Sequence, residues 1–391
     1  MKKILIVNKS FELGGIQTSM INMANTLSQH YEVHLFIYNP EGILKERLCD
    51  DVKILDSSWL FKCIGMSLKD ALQTKEVKII LFRLFAALWA KLFNNILPLN
   101  LAIMHQTKMT GYDLAIAYHQ EQRKKSVTSG FVRVVDKCVV AKKKVAWIHY
   151  DSNSINLDHD FNYPFYQKMD KVVCVSKSLM NNFADTYPEL KKKMDYCYNF
   201  MLYDVIKEKG LEKQKVNYPL NKFVCFSACR LTEEKALVRG ITALSKVMKQ
   251  YKDIVWYIAG DGVERNNIEN AIREHKLENQ IILIGNQSNP YPYIRNANLV
   301  LNVSFHEAAP MIFFESKALG TPIFATRTAS AEELIDDNKD SFICENSEVG
   351  IYERFEWIIQ NKKHLQTATS YLMNYHSNNE ESLLKIKNLI K

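Results

Sequence analysis

The sequence predicts an α/β protein made of two doubly wound, Rossmann-like domains, each a parallel sheet with helices on both faces. Three observations predict it. The apolar runs are continuous rather than alternating: KILIVN, YEVHLFIY, YDLAIAY, KKVAWIH and KVVCVS come first, then KFVCFSA, IVWYIAG, QIILIG, LVLNVS and TPIFAT. Strands buried on both faces read this way. Between them, segments such as ALVRGITALSKVMKQ and RNNIENAIREHKL carry apolar residues three and four apart, the spacing of a helix with one buried stripe. Finally, 391 residues exceed the ordinary size of one core, and the stretch NFMLYDVIKEKGLEKQKVNYPLN, near residues 200–220, turns polar between the two series. The expected boundaries are 1–200 for an amino-terminal domain and 201–372 for a carboxyl-terminal domain. Residues 373–391 are expected to form a last helix that packs back on the first domain.

A composition of 47% hydrophobic and 24% charged residues excludes disordered and fibrous classes. At the amino terminus only Ile4 to Val7 are apolar before Asn8 and Lys9, which reads as a buried strand rather than a signal peptide. No run reaches the roughly 18 apolar residues that a membrane span needs. The eight cysteines are scattered, mostly inside apolar runs, without CxxC or His/Cys ligand spacing, so buried free thiols of a reducing compartment and no metal site are expected. The expected location is cytoplasmic.

Charge is divided unevenly. Residues 1–200 hold 27 Lys and Arg against 19 Asp and Glu, whereas the remainder holds 24 of each. The excess sits in clusters such as Arg123-Lys124-Lys125, Lys142-Lys143-Lys144 and Lys191-Lys192-Lys193. A solvated basic face and an anionic lipid surface both account for it, and nucleic acid is not the expected partner. The segment KEVKIILFRLFAALWAKLFNNILPLN, Lys75 to Asn100, is aromatic and aliphatic with Lys78, Arg83 and Lys91 interspersed. It reads either as a core helix or as a basic amphipathic helix lying in a membrane interface with Phe85, Trp89 and Phe93 inserted.

Three motifs bear on chemistry. In NKSFELGGIQTSM, Gly14 and Gly15 stand at a strand-to-helix turn, where backbone can approach a phosphate or sugar and the helix start offers N–H groups. The spacing is not GxGxxG, which argues against a dinucleotide site, and a plain tight turn would also account for the two glycines. In CFSACRLTEEKALVRG, Arg230 ends a strand and Lys235 follows five residues later; a fork and a mobile point charge suit a diphosphate, although a surface pair with Glu233 or Glu234 would also account for them. In HEAAPMIFFESKALGTP, Glu307 stands in a loop and Glu315 inside a helix that Pro310 starts and Gly320 ends. A carboxylate amid MIFFESKAL costs several kcal/mol to bury without donors.

Taken in order, the strand-end Arg and Lys, the IAGDG turn, NPYPYIRNANLVLNVS and E-x7-E resemble the GT-B retaining glycosyltransferases of family 4, the group 1 type. The resemblance is strongest from Phe223 to Thr326. It implies two Rossmann-like domains facing across a cleft, with Arg230 and Lys235 on the donor diphosphate and Glu315 on the ribose. Glu307 would sit by the transferred sugar, with the backbone of Ala308, Ala309, Pro310 and Met311 reading its hydroxyls or a phosphate. Gly14 and Gly15 would close on donor and acceptor. The KKVAWIHYDS stretch makes His149 the candidate for contact with the donor sugar, and Glu307, Arg230, Lys235 and His149 the catalytic set.

Two departures stand out: Ala308 and Cys229 occupy positions where the family usually has glycine. Alanine at a positive φ would reshape the loop. WIHYDSNSI and YDLAIAYHQEQRKKSVTSGF look most like the subset that builds bacterial capsule, exopolysaccharide or lipopolysaccharide chains on a lipid carrier. The implied activity is a retaining, metal-independent hexosyltransferase without cofactor. It would take a nucleotide-sugar, a UDP-sugar, to a saccharide or lipid-linked saccharide acceptor, with peripheral contact to the inner face of the plasma membrane. A non-catalytic GT-B-like scaffold and a UDP-sugar epimerase of the same fold are the alternatives.

Overall fold

The computed structural model describes residues 1–150, 158–213 and 217–391. The DSNSI end of WIHYDSNSI and part of the polar stretch after residue 200 therefore lie outside the described residues. The chain divides into one unit of Met1–Phe200 with Asn379–Lys391 and another of Met201–Asn378.

The first unit holds strands β1 (Lys3–Ser10), β2 (Glu32–Asn39), β3 (Lys53–Leu55), β4 (Met109–Ala117), β5 (Val139–Ile148), β6 (Lys171–Cys174) and β7 (Met194–Tyr196). All pairings are parallel, in the order β3-β2-β1-β4-β5-β6-β7. Ile4 pairs with Val33 on one side and Leu114 on the other, which leaves Ile4 to Val7 with no solvent contact. That is why the run is apolar without alternation. The order reverses between β1 and β4, the place where such sheets bind ligands. The final helix, Glu380–Ile390, belongs to this unit. It buries Ile386 and Ile390, pairs Lys385 with Asp195 at 2.6 Å and donates Ser382 Oγ to the Tyr198 carbonyl at 3.0 Å.

The second unit holds β8 (Phe223–Ala228), β9 (Ile254–Ala259), β10 (Ile281–Gly285), β11 (Leu299–Asn302), β12 (Ile323–Thr326) and β13 (Phe342–Cys344). Their order is β10-β9-β8-β11-β12-β13, again parallel. The reversal falls between β8 and β11. One core lies around Trp256, Leu244 and Phe355 and the other around Tyr293, Phe313 and Ile323, so each face of the sheet is covered. The expected doubly wound architecture is present in both units. The edge strands β3, β7 and β13 were not foreseen: three residues are too few to show a period.

The Lys75–Asn100 segment departs from the single amphipathic helix expected. It forms helices Val77–Leu92 and Ile96–Met104, interrupted near Asn95, whose side chain donates to the Ser126 carbonyl at 2.7 Å and accepts from Arg133 at 2.8 Å. Arg83, interspersed in this segment, does not face solvent. It is buried and donates Nε to the Met66 carbonyl at 3.0 Å. Among the described residues no helix is long and apolar enough to cross a membrane.

Candidate functional site

In the second unit the loops leaving β8 and β11 meet at the reversal of strand order. After β8 the chain runs through Cys229 and Arg230 to a single turn, Glu233–Lys235, and then to helix Leu237–Gln250. This loop is fastened to the one after β9: Cys229 N donates to the Ala259 carbonyl at 3.1 Å and Leu231 N to the Asp261 carbonyl at 2.9 Å. The fastening explains the glycines of IAGDG. A Cβ on Gly260, where φ is +138°, would lie 1.8 Å from the Cys229 carbonyl oxygen, and one on Gly262 would lie 2.3 Å from that of Leu231.

Lys235 is thereby delivered to Glu307. Its Nζ sits 2.7 Å from Glu307 Oε1, with only 19% and 9% of the two side chains exposed. The same oxygen accepts from Ser304 Oγ at 2.7 Å and Asn302 Nδ2 at 3.1 Å. Phe305 N donates to the Glu234 carbonyl at 2.9 Å, which ties the two loops together, and Ser330 Oγ, from the helix Ala329–Leu334, donates to the Glu307 carbonyl at the same distance. Arg239 braces Phe305 from behind, its guanidinium 4.1 Å from the ring centre. Burial alone would pull the Lys235 ammonium down, yet the charge and hydrogen bond of Glu307 leave it above the ordinary lysine value. It is a fixed positive charge at neutral pH.

Arg230 behaves otherwise. Its side chain is 65% exposed and its nearest acidic group is Glu234, at 3.5 Å. The surface pair named as an alternative is thus what the structure holds for Arg230, whereas Lys235 turns inward. Pro310 precedes helix Met311–Ala318, and Glu315 lies half-buried in that helix, as the sequence indicated. Gly320 closes it at φ +80°. Ala308 is absent from the residues at positive φ, so alanine is accommodated there without backbone strain. The strained residue is Ala236, at φ +51° directly after Lys235. Cys229 is tolerated as well: its thiol is pushed up to about 12 by burial, so it stays protonated.

In the first unit, Gly14 caps helix Gly15–Ser28 with extended backbone. A Cβ on Gly15 would meet nothing within 4 Å, and one on Gly14 would meet only the Gln17 side chain. Neither glycine is required by strain, and among the described residues the space beside Gly15 is open. His149 follows β5 directly. Its N–H and that of Tyr150 both donate to Gln120 Oε1, at 2.9 and 2.7 Å. Its ring packs 4.8 Å from that of Tyr118, and among the described residues its buried Nε2 finds no hydrogen-bond partner. Burial, then the neighbouring His119, hold the imidazole well below the usual histidine range, so it is neutral at pH 7.

Sequence reasoning missed Asn302, Ser304 and Gln120. Each left a trace: a polar residue at the carboxyl end of an apolar run, in LVLNVS and in YDLAIAYHQ. Polar side chains at a strand's end are those a sheet can aim at a ligand or at a neighbouring loop.

Residues 208–372 match the family model Glycosyl transferases group 1. An uncharacterized glycosyltransferase of Methanocaldococcus jannaschii is 24% identical over 227 residues, 55% of this chain and 55% of that protein. An N-acetylgalactosamine-N,N'-diacetylbacillosaminyl-diphospho-undecaprenol 4-alpha-N-acetylgalactosaminyltransferase of Campylobacter jejuni is 24% identical over 200 residues, 51% of this chain and 53% of its own. The chain spans about half the length of the curated relatives it matches. Among solved structures, the Anabaena protein HepE, determined with UDP and glucose, is 16% identical with a TM-score of 0.70, covering 100% of this chain and 99% of its own. At that identity the likeness shows the fold, which is GT-B.

Proposed function

We propose that this chain, whose residues 208–372 carry the group 1 glycosyl transferase domain, moves a sugar from a UDP-sugar to a saccharide acceptor with retention of anomeric configuration. The observation that carries the reading is the Lys235–Glu307 pair at 2.7 Å, held by Asn302 and Ser304 where the strand order of that domain reverses. A fixed cation there stabilises the diphosphate as negative charge develops on it, a preorganised term that dominates many transfers. Arg230, exposed and only loosely paired, is available to swing onto the same phosphates as a planar fork. Glu307 reads the sugar, and Glu315 the ribose. The backbone of Ala308, Ala309, Pro310 and Met311 reads sugar hydroxyls or a phosphate.

In the first unit Gly14 and Gly15 supply open space for substrate, and the neutral His149 offers a hydrogen bond through Nε2 without adding a positive charge. No metal and no cofactor enter this reading. The leaving phosphate takes the acceptor proton as the acceptor oxygen attacks from the same face. The acceptor class is a lipid-linked saccharide of bacterial surface polysaccharide synthesis; the Campylobacter relative, by its name, acts on a diphospho-undecaprenol carrier.

Titration with UDP, followed by incubation with UDP-sugars and NMR of the products, tests this. Binding of UDP and transfer lost in Lys235→Ala support it. Absence of UDP binding leaves a scaffold, and conversion of donor without an acceptor makes the protein an epimerase.

A further inference from the structure

Strand β11 ends at Asn302, and the loop that follows carries Glu307 beyond the reach of the sheet's own hydrogen bonds. Its carbonyls are capped by side chains instead. That of Val303 accepts from Arg239 Nη2 at 2.8 Å, that of Ser304 from Thr326 Oγ1 at 2.6 Å, that of Phe305 from Asn346 Nδ2 at 3.0 Å and that of Glu307 from Ser330 Oγ at 2.9 Å. Each cap comes from a different place: helix Leu237–Gln250, the end of β12, the turn after β13 and helix Ala329–Leu334. A surface loop ordinarily leaves such groups to water. A brace serving stability alone has no need to act on three consecutive carbonyls of the one loop that bears Glu307.

Arg239 is the hub of these caps. Its Nη2 also donates to Asn346 Oδ1 at 2.8 Å and its Nη1 to the Asn346 carbonyl at 3.3 Å, so it holds the amide that caps Phe305. Its guanidinium lies 4.1 Å from the Phe305 ring centre. Serving these acceptors while lying over a ring takes a planar fork, which lysine lacks.

The clamp reaches both halves of the ion pair. Arg239 stands four residues after Lys235, in the first turn of the helix that follows it, and fastens that helix to the loop of Glu307. The two residues are therefore held in register by Arg239 and Asn346 as well as by their own contact at 2.7 Å. If a diphosphate draws Lys235 away, the loop stays in place. Asn302 and Ser304 then keep Oε1 of Glu307 occupied, since among the described residues all the donors to this carboxylate use that oxygen.

On the transfer reading given above, we propose that Arg239 and Asn346 are positioning residues for the donor sugar: they fix the Val303–Glu307 loop so that Glu307 keeps Oε2 for a sugar hydroxyl when Lys235 turns to the diphosphate.

Calorimetric titration of Arg239→Lys and Asn346→Asp beside wild type tests it, with UDP and with whichever of UDP-glucose, UDP-galactose and UDP-N-acetylglucosamine the wild type transfers. Lysine keeps the charge of Arg239 without the fork, and aspartate keeps the Oδ1 acceptor without the Nδ2 donor. Both variants bind UDP within about twofold of wild type, because Arg230 and Lys235 stand on the other loop, but lose roughly tenfold in affinity for the UDP-sugar relative to UDP, with kcat down about 10²-fold. A merely structural role would lower the fraction of binding sites in the titration and leave the ratio of the two affinities unchanged. Asn346→Asp, at a part-exposed position, carries the test where Arg239→Lys does not accumulate. The proposal is overturned if the variants keep the wild-type ratio and kcat, or if UDP and UDP-sugar weaken by the same factor; the transfer reading survives either result. A wild type that binds no UDP, or transfers none of the three sugars, overturns the transfer reading and the positioning role with it.

Discussion

Each unit contains a shielded pair between a cation and a glutamate, and the two pairs are built for different ends. In the first unit Glu121 and Arg133 are 0% and 3% exposed and 3.3 Å apart. Glu121 also accepts from Ser129 Oγ and from the backbone N–H groups of Gly130, Val132 and Arg133. Both carboxylate oxygens are used, on the first turn of helix Phe131–Cys138, where the partial positive charge of the helix favours an anion. Arg133 in turn lies 4.7 Å from the Phe165 ring centre. That pair is a lock on the fold. In the second unit all the donors to the Glu307 carboxylate described above converge on one oxygen, Oε1, and the cation is a lysine on a strand-end loop. The difference teaches that burial and charge alone do not mark a site. Both acids follow a strand at which their sheet's order reverses; what separates the pairs is that the first is sealed, with both carboxylate oxygens taken up at a helix start, whereas in the second the described donors use one oxygen and the lysine side chain keeps 19% exposure.

The largest expected effect comes from breaking the lock. Glu121→Ala leaves Arg133 charged and unpaired in the core, which costs about 3–5 kcal/mol; urea unfolding should show it, or the protein should fail to accumulate. Lys235→Ala should slow sugar transfer by roughly 10²–10³, read as kcat on folded protein; it also leaves the Glu307 carboxylate without its cation, so some stability is lost, less than in Glu121→Ala because Asn302 and Ser304 still donate to it. Arg230→Ala sharpens that contrast. It should slow transfer too, yet move stability by less than about 0.5 kcal/mol, since an exposed pair contributes little.

His149 gives the next effect. Its folded value lies below the unfolded one, so the unfolded chain takes up the proton first. Stability is complete above about pH 6.5 and falls as pH drops towards the depressed value, by up to about 1.4 kcal/mol per pH unit. His119, also lowered by burial, adds a loss of the same sign. His149→Gln should flatten the decline between pH 6.5 and 5 in thermal melts. The smallest effect is Ala236→Gly, which removes the strain of φ +51° and should raise stability by about 0.5–1 kcal/mol, the relief being partly offset by glycine's greater freedom in the unfolded chain.

Much of the architecture was legible in the amino-acid order. Ten strands announced themselves as apolar runs, because a strand covered on both faces has no position that tolerates charge. The E-x7-E spacing placed Glu307 in a loop and Glu315 in a helix through Pro310 and Gly320, residues whose backbone preferences are local. The short strands β3, β7 and β13 were hidden because pairing with a neighbour, not their own pattern, makes them strands.

Local chemistry therefore determined the order of strands and helices, the two series of them, and the presence of two acids and two cations near strand ends. Only the tertiary structure decided that Lys235 turns in to Glu307 while Arg230 turns out to Glu234, that Glu121 caps a helix, and that Arg83 is buried beneath an outward row of leucines. The reason is range. Backbone preference and apolar periodicity act over a few residues, whereas the partner of a charge is chosen by which loops the folded sheet brings together, here 72 positions apart along the chain.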